Sequence, residues 1–297
     1  MKITFLRLVL LTFLAASLLS PFSAQAQDWR TADIGSAGLA PLPETEKRAV
    51  VQIYSARTVR WRKYFAVHTW IVTKEKDASS YQTYHVIGWR LRQGLSVVRV
   101  EEGIPDAKWF GHVPELLRDL RGRAAESAIP KIIKAAAEYP YQNEYRAWPG
   151  PNSNTFVSFI LRRTPELGIE LPPHAIGKDW IETGHIAGIS ESRTGVQLSL
   201  LGVLGLTLGL NEGIEINLLG LSFGIDFLRP ALKLPMAGRI GFTDQPAFDD
   251  EVEPTGIAEE PLPVESATPA PVTYNDHSHQ GFGTTTRVMS PARMYKN

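Results

Sequence analysis

Three hydrophobic patterns run along the chain, and each predicts a different kind of element. Ala49–Tyr54, Phe65–Val72, Tyr81–Arg90 and Leu95–Glu101 are runs rich in β-branched, aromatic and other apolar residues, which read as β-strands. The polar link from Lys74 to Ser80 joins the second and third runs as a hairpin. Leu116, Leu117 and Leu120, then Ile129, Ile132, Ile133 and Ala136, recur at helical spacing. They predict helices over Pro114–Arg123 and Ala124–Glu138, parted near Gly122 and disturbed at Pro130. Beyond residue 184 the chain turns Gly/Leu-rich. Short alternating runs at Val196–Leu200, Leu204–Leu210 and Ile214–Ile225 predict strands, with Asn211-Glu212-Gly213 as the best turn.

Between the two parts lies Trp148-Pro149-Gly150-Pro151-Asn152-Ser153-Asn154-Thr155-Phe156, a rigid turn running into small polar residues. Asn152, Ser153 and Asn154 are all favoured N-caps, so a helix is expected to start here and run to about Arg163. The expected architecture is α+β: an antiparallel sheet packed with helices over residues 49–183, then a β-rich segment over 184–243 packed on that core.

Composition adds the ends of the chain. Lys2 and Arg7, an apolar run from Leu8 to Leu19, and Ala24-Gln25-Ala26 have the layout of a secretion signal over residues 1–26. Cleavage is expected before Gln27, leaving a periplasmic or secreted chain. Residues 27–48 are expected as an irregular leader, and 244–297 as an acidic, Pro-rich disordered tail. No later run is apolar and long enough for a spanning helix, and peripheral membrane contact is compatible with the sequence. The chain has no cysteine, which excludes disulfides, thiolate metal sites and a cysteine nucleophile. Residues 27–243 hold 26 Lys and Arg against 22 Asp and Glu, too small an excess to argue for nucleic acid binding. Arg57, Arg60, Arg62 and Lys63, interleaved with Trp61 and Tyr64, form a local basic patch. It reads either as a solvated edge or as contact with an anionic ligand or head group.

The chemistry candidates are a serine and two histidines. A serine nucleophile requires a base within hydrogen-bond reach, and the base requires a partner that fixes its tautomer. Ser153 at a helix start, His68 on one strand and His85 on the next supply the three residue types. A symmetric hairpin would set His68 opposite His85. Ser153 as a simple cap and His68 as a strand histidine bonded to a carbonyl is the alternative reading. His112, His174 and His185 show no ligand spacing, so no metal and no cofactor is expected.

His68-Thr69-Trp70-Ile71-Val72, Tyr84-His85-Val86-Ile87-Gly88, Tyr145 through Val157 and Pro230-Ala231-Leu232-Lys233-Leu234-Pro235 resemble a bacterial family catalogued as domain of unknown function 3750, over roughly residues 49–241. More loosely, a strand histidine, a second strand histidine and an Asn-x-x-x-Phe helix start are similar to the circularly permuted papain-like fold of NlpC-type peptidases and lecithin–retinol acyltransferase-like enzymes. That resemblance implies a nucleophile at Ser153, where the family has cysteine, a base at His68 and an orienting group at His85. Asn152, Asn154, Trp70 and Trp148 would support the cleft. It implies a hydrolase or acyltransferase acting on an amide or ester of a cell-envelope peptide or lipid. With serine in place of cysteine, the alternative is an exported binding or scaffold module without catalysis.

Overall fold

The computed structural model describes residues 31–242 and the two-residue strand Phe248–Asp249. The expected signal of residues 1–26 and, that strand aside, the expected tail of 244–297 lie outside the described residues. Two sheets dominate. The first contains β1 (Val50–Arg57), β2 (Val67–Lys74), β3 (Tyr81–Val86), β4 (Val98–Gly103) and β5 (Glu115–Arg121). Two helices come next, α1 (Arg123–Ala137) and α2 (Ser153–Leu161). The second sheet contains β6 (Ala187–Ile189), β7 (Gly195–Leu200), β8 (Leu204–Gly209), β9 (Gly213–Leu218), β10 (Leu221–Asp226), β11 (Ala231–Leu234) and β12 (Gly238–Gly241). The last strand, β13 (Phe248–Asp249), returns to the first sheet, whose order is β13-β5-β1-β2-β3-β4. Strands β1 to β5 pair antiparallel, and β13 runs parallel to β5. The second sheet is a simple antiparallel meander. Among the described residues no helix is long and apolar enough to cross a membrane.

The first sheet is buried on both faces. On one face Val51, Ile53, Val67, Ile71, Tyr84 and Leu120 pack against Ile129 and Ile132 of α1 and Phe156, Val157 and Ile160 of α2. On the other, Val50, Tyr54, Trp70, Val72 and Tyr81 form a smaller cluster with Ala40, Trp109 and Leu116. The leader straps over that second face. Asp106 takes hydrogen bonds from Ser36 Oγ and from the backbone N–H groups of Leu39 and Ala40, and Tyr81 Oη donates to the Pro41 carbonyl. All eight residues of β2 are buried in consequence.

Three sequence expectations are corrected. Pro114–Arg123 is not a helix but contains β5, hydrogen-bonded along β1. The register shifts between Ile53, opposite Arg118, and Tyr54, opposite Leu116, leaving Leu117 as an extra, bulged residue. The bulge puts Leu117 and Leu120 on the helix side while Leu116 packs on the other, so a strand reproduces helical spacing. Tyr81–Arg90 is not one strand: β3 ends at Val86, and Gly88–Gln93 forms a 3-10 turn. The hairpin register is two residues away from the symmetric one, with Ile71 opposite Tyr84 and Thr73 opposite Gln82. A two-residue shift preserves the faces, so His68 and His85 still share a side.

The second sheet has inverted polarity. Its face toward the body carries Gln197, Ser199, Thr207, Glu215, Asn217, Ser222, Asp226 and Lys233, all buried. These side chains meet polar groups of the segment after α2. Asp179 accepts from Gln197, Asn217 and Ser222. Lys178 pairs with Glu215, and Lys233 pairs with Glu170 and Glu215. Arg162 donates to Gln197 Oε1 and to the Lys178 carbonyl. The outward face is apolar. Pairing aligns Ile189, Val196, Leu208, Ile214, Ile225, Leu232 and Ile240 in one row across all seven strands. A second row runs through Leu198, Leu206, Ile216 and Phe223.

The start of α2 is the joint between these parts. Asn152 caps the helix, its Oδ1 accepting from the N–H groups of Asn154 and Thr155, while its Nδ2 donates to the carbonyls of Ala147 and Ile176. Thr155 Oγ1 accepts from the Asn152 N–H and donates to the Gly177 carbonyl. Gly177 has φ +97°, and a Cβ there would stand 2.5 Å from Asn152 Nδ2. Asn152→Ala is expected to cost about 2–4 kcal/mol, combining a lost cap with buried carbonyls left without donors. Gly177→Ala should be at least as damaging, because it strains the backbone and displaces the same side chain. Urea denaturation of both variants checks this. Wild-type midpoints would show that the joint is dispensable.

Candidate functional site

The structure sets Ser153 and the two histidines in different surroundings. Ser153 is the first residue of α2 and is buried, as are all nine residues of that helix. Asn154, one residue on, reaches β2: its Nδ2 donates to the carbonyls of Val67 and Ile176, and its Oδ1 accepts from Thr69 Oγ1. Val67 and Thr69 therefore face α2. Strand alternation then turns His68 and Trp70 to the opposite side, where the His68 ring stacks on Trp109 at 3.8 Å between centroids and on Trp70 at 5.7 Å. No hydrogen bond among the described residues joins Ser153 Oγ to His68 or His85. The expected nucleophile–base pair is not formed, because β2 stands between its members. Asn152 and Asn154 are structural fasteners of the helix start.

The histidines do come together. His68 and His85 ring centroids are 6.0 Å apart, and Nε2 of each is buried without a hydrogen bond. They do not form the expected base–orienter contact. Burial pushes His68 well below the ordinary imidazole value, helped by the neighbouring His85. His85 is pushed down to about 4, by burial first and then by the charges of Arg99 and Arg90. Glu101 lies 3.3 Å from His85 Nε2 but is itself paired with Arg99. Both rings are neutral near pH 7, in a nest of Trp70, Trp109 and, stacked on Trp109, Trp89. Trp148 lies elsewhere: half-exposed, it donates from Nε1 to the Leu219 carbonyl of the second sheet at 2.7 Å.

A third feature was not expected from sequence. A cavity of about 760 Å³ opens between the two sheets, bounded by the ends of β1 and β5, the segment 169–174 and the β11–β12 hairpin. Glu170, His174 and Arg239 line it, and each keeps a buried polar atom without a partner: Glu170 Oε2, His174 Nδ1 and Arg239 Nη1. Lys233 and Arg57 also line it. Burial and the nearby Arg57 charge push His174 down to about 4, leaving a neutral ring. Glu170 is pushed up by burial and by Glu215, against the pull of Lys233 and Lys178. Unpaired buried polar atoms are uncommon in folded proteins, and here three belong to residues that line one cavity. Sequence spacing had no means of finding them, since Arg239 is far in the chain from Glu170 and His174 and the three carry no motif.

Fold and site together define a two-sheet α+β protein with a polar inter-sheet cavity and no assembled serine triad. Residues 48–180 match the model of a family described as Protein of unknown function (DUF3750). The match ends before the second sheet, short of the span to 241 expected from the sequence. No curated protein and no solved structure matches the chain.

The buried histidines give a pH signature. The unfolded chain takes up a proton at His85 near pH 6.5, whereas the folded state does so only near 4. Acidification through that window therefore favours unfolding, by up to about 1.4 kcal/mol per pH unit for one histidine. His85→Gln should flatten the fall in stability between about pH 6.5 and 4 by that slope, while leaving behaviour above pH 7 parallel to wild type. Urea midpoints measured across pH 4–8 decide it, and unchanged slopes would contradict a neutral buried His85.

Proposed function

We propose that this is an exported, non-catalytic binding module of the cell envelope that holds a small peptide in the cavity between its two sheets. The observation that carries the reading is that Glu170, His174 and Arg239 all line that cavity and each keeps a buried polar atom without a partner, Oε2, Nδ1 and Nη1 respectively. A peptide supplies both kinds of complement: amine and amide donors for the carboxylate and imidazole, and a carboxylate for the guanidinium. The volume lies within the range of small-ligand sites. On this reading the helix start of a permuted papain-like frame survives as architecture. Ser153 has the positive end of the α2 dipole beside it, but no base to take its proton. Export rests on the charge, apolar core and small-residue pattern of residues 1–26.

Two measurements test the reading. Wild-type protein treated with a serine-reactive phosphonate should remain unlabelled. Labelling that disappears in Ser153→Ala would replace this reading with the hydrolase or acyltransferase one. In titrations with soluble peptides from digested cell wall, His174→Ala should weaken binding about tenfold, the effect of one lost buried hydrogen bond. Wild-type affinity in that variant would place the ligand outside the cavity.

A further inference from the structure

We infer that the outward face of the second sheet seats the protein on the surface of an anionic phospholipid bilayer. A sheet with one solvated face normally turns its polar residues outward. This one does the reverse: among the described residues no outward position of β6–β12 is charged, and the side chains of the two apolar rows range from 36 % exposed at Leu206 to 60 % at Val196. Seven adjacent strands of up to about six residues make a footprint of roughly 30 by 20 Å, larger than the apolar patches that soluble monomers ordinarily show. The hairpin tips obey the same rule at some conformational cost. Leu201 and Leu219 have φ of 51° and 53°, and the next residues, Gly202 and Gly220, have 65° and 77°. Such turns favour Asn, Asp or Gly at the first position, yet here leucine is used twice.

Two observations choose lipid over a second copy. The first is composition. The face is made of Leu, Ile, Val and Phe and offers no hydrogen-bonding side chain, whereas protein interfaces of this size carry several hydrogen bonds and enrich Tyr, Arg and Met. An aliphatic strand face is what hydrocarbon selects. The second is the rim at one end. In a meander, the β7–β8, β9–β10 and β11–β12 tips all lie at the same end of the sheet. There Arg57 donates both to the Lys63 carbonyl and to the Met236 carbonyl at the β11–β12 tip. It thereby ties the 3-10 segment Arg60–Tyr64 beside the apolar face. That segment presents exposed Arg60, Trp61 and Arg62, and Trp148 stands against the β9–β10 tip. Aromatic and basic side chains at the margin of an apolar surface are the set that anchors proteins at head groups and draws them to anionic lipid. Strands this short, in a sheet that among the described residues ends at β6 and β12 without closing, cannot span a bilayer, so the sheet lies on one leaflet.

Because the chain has no cysteine, one introduced at Ile216 and labelled with an environment-sensitive fluorophore reports this face alone. With vesicles of phosphatidylglycerol and phosphatidylethanolamine, the full-length labelled protein should show a blue shift and quenching by lipids spin-labelled in their acyl chains. Leu206→Glu should abolish both. Reversing Arg60, Arg62 and Lys63 to Glu should weaken vesicle binding by about tenfold or more at low salt, with far less effect in 0.5 M salt (about a 4 Å screening length). A probe that ignores vesicles, or one buried instead as sedimentation shows a dimer forming, would overturn the proposal. Neither result bears on the peptide cavity, whose titrations are done without lipid.

Discussion

The hydrogen bonds of Asn152 and Asn154 to the Ile176 carbonyl are the constraint on which the rest of the molecule depends. Both Nδ2 groups converge on that one oxygen, at 2.9 and 2.8 Å, from the start of a fully buried helix. Asn154 also holds Val67 and Thr69 of β2, so three parts of the chain are pinned within one helical turn. Gly177 can pass because it has no side chain to collide with Asn152. The chain beyond Gly177 is thereby held in position: Ser158 Oγ donates to the Lys178 carbonyl, and Lys178 and Asp179 are delivered, buried, to the second sheet.

The polarity of the second sheet is a consequence of that delivery. A buried lysine and a buried aspartate in the covering segment demand partners, since an unpaired charge in such a place would cost several kcal/mol. The strands answer with Glu215, Gln197, Asn217 and Ser222 on the facing positions. With period two, every polar residue turned inward leaves its neighbours outward, and those neighbours are leucine, isoleucine, valine and phenylalanine. The apolar outer face and the ion-paired inner face are therefore one decision. They share a cause in the two residues that the helix start positions.

Much of this was legible in the sequence, and the failures have physical reasons. The β-rich runs located β1, β2, β3, β4, β7 and β8 and the stretch that holds β9 and β10, which was read as one run, while β6, β11 and β12 went unread; the run Asn152-Ser153-Asn154 located the start of α2. Alternation says that a strand has two unlike faces but not which one meets the body. The inversion of the second sheet was hidden for that reason, and so was the separation of His68 from Ser153. Had β2 been placed one residue out of phase, His68 would face the helix and Thr69 the tryptophans. The β5 strand was hidden by a bulge that lets Leu117 and Leu120 share a side, a spacing that otherwise signals a helix. The cavity was hidden because Arg239 joins Glu170 and His174 in its lining only after both sheets are in place.

A helix start of this kind is easily mistaken for a reactive one, and energetics separate the two. The dipole at the end of α2 can favour a nearby negative charge by about 0.3–1 kcal/mol, with more in partly buried geometry. A serine hydroxyl is far harder to ionise than the thiol of a papain-like site. A field of that size does not make an alkoxide at neutral pH, so a base in contact is required. His68 cannot be that base without crossing its own strand, and it is held on the far face by stacking with Trp109 and Trp70. Turning β2 over to bring it across would also expel Thr69 from Asn154 and bury Trp70 where Thr69 now sits. The bond that anchors the helix start is thus the same one that keeps the histidine away. That is why the start of α2 reads as a structural joint.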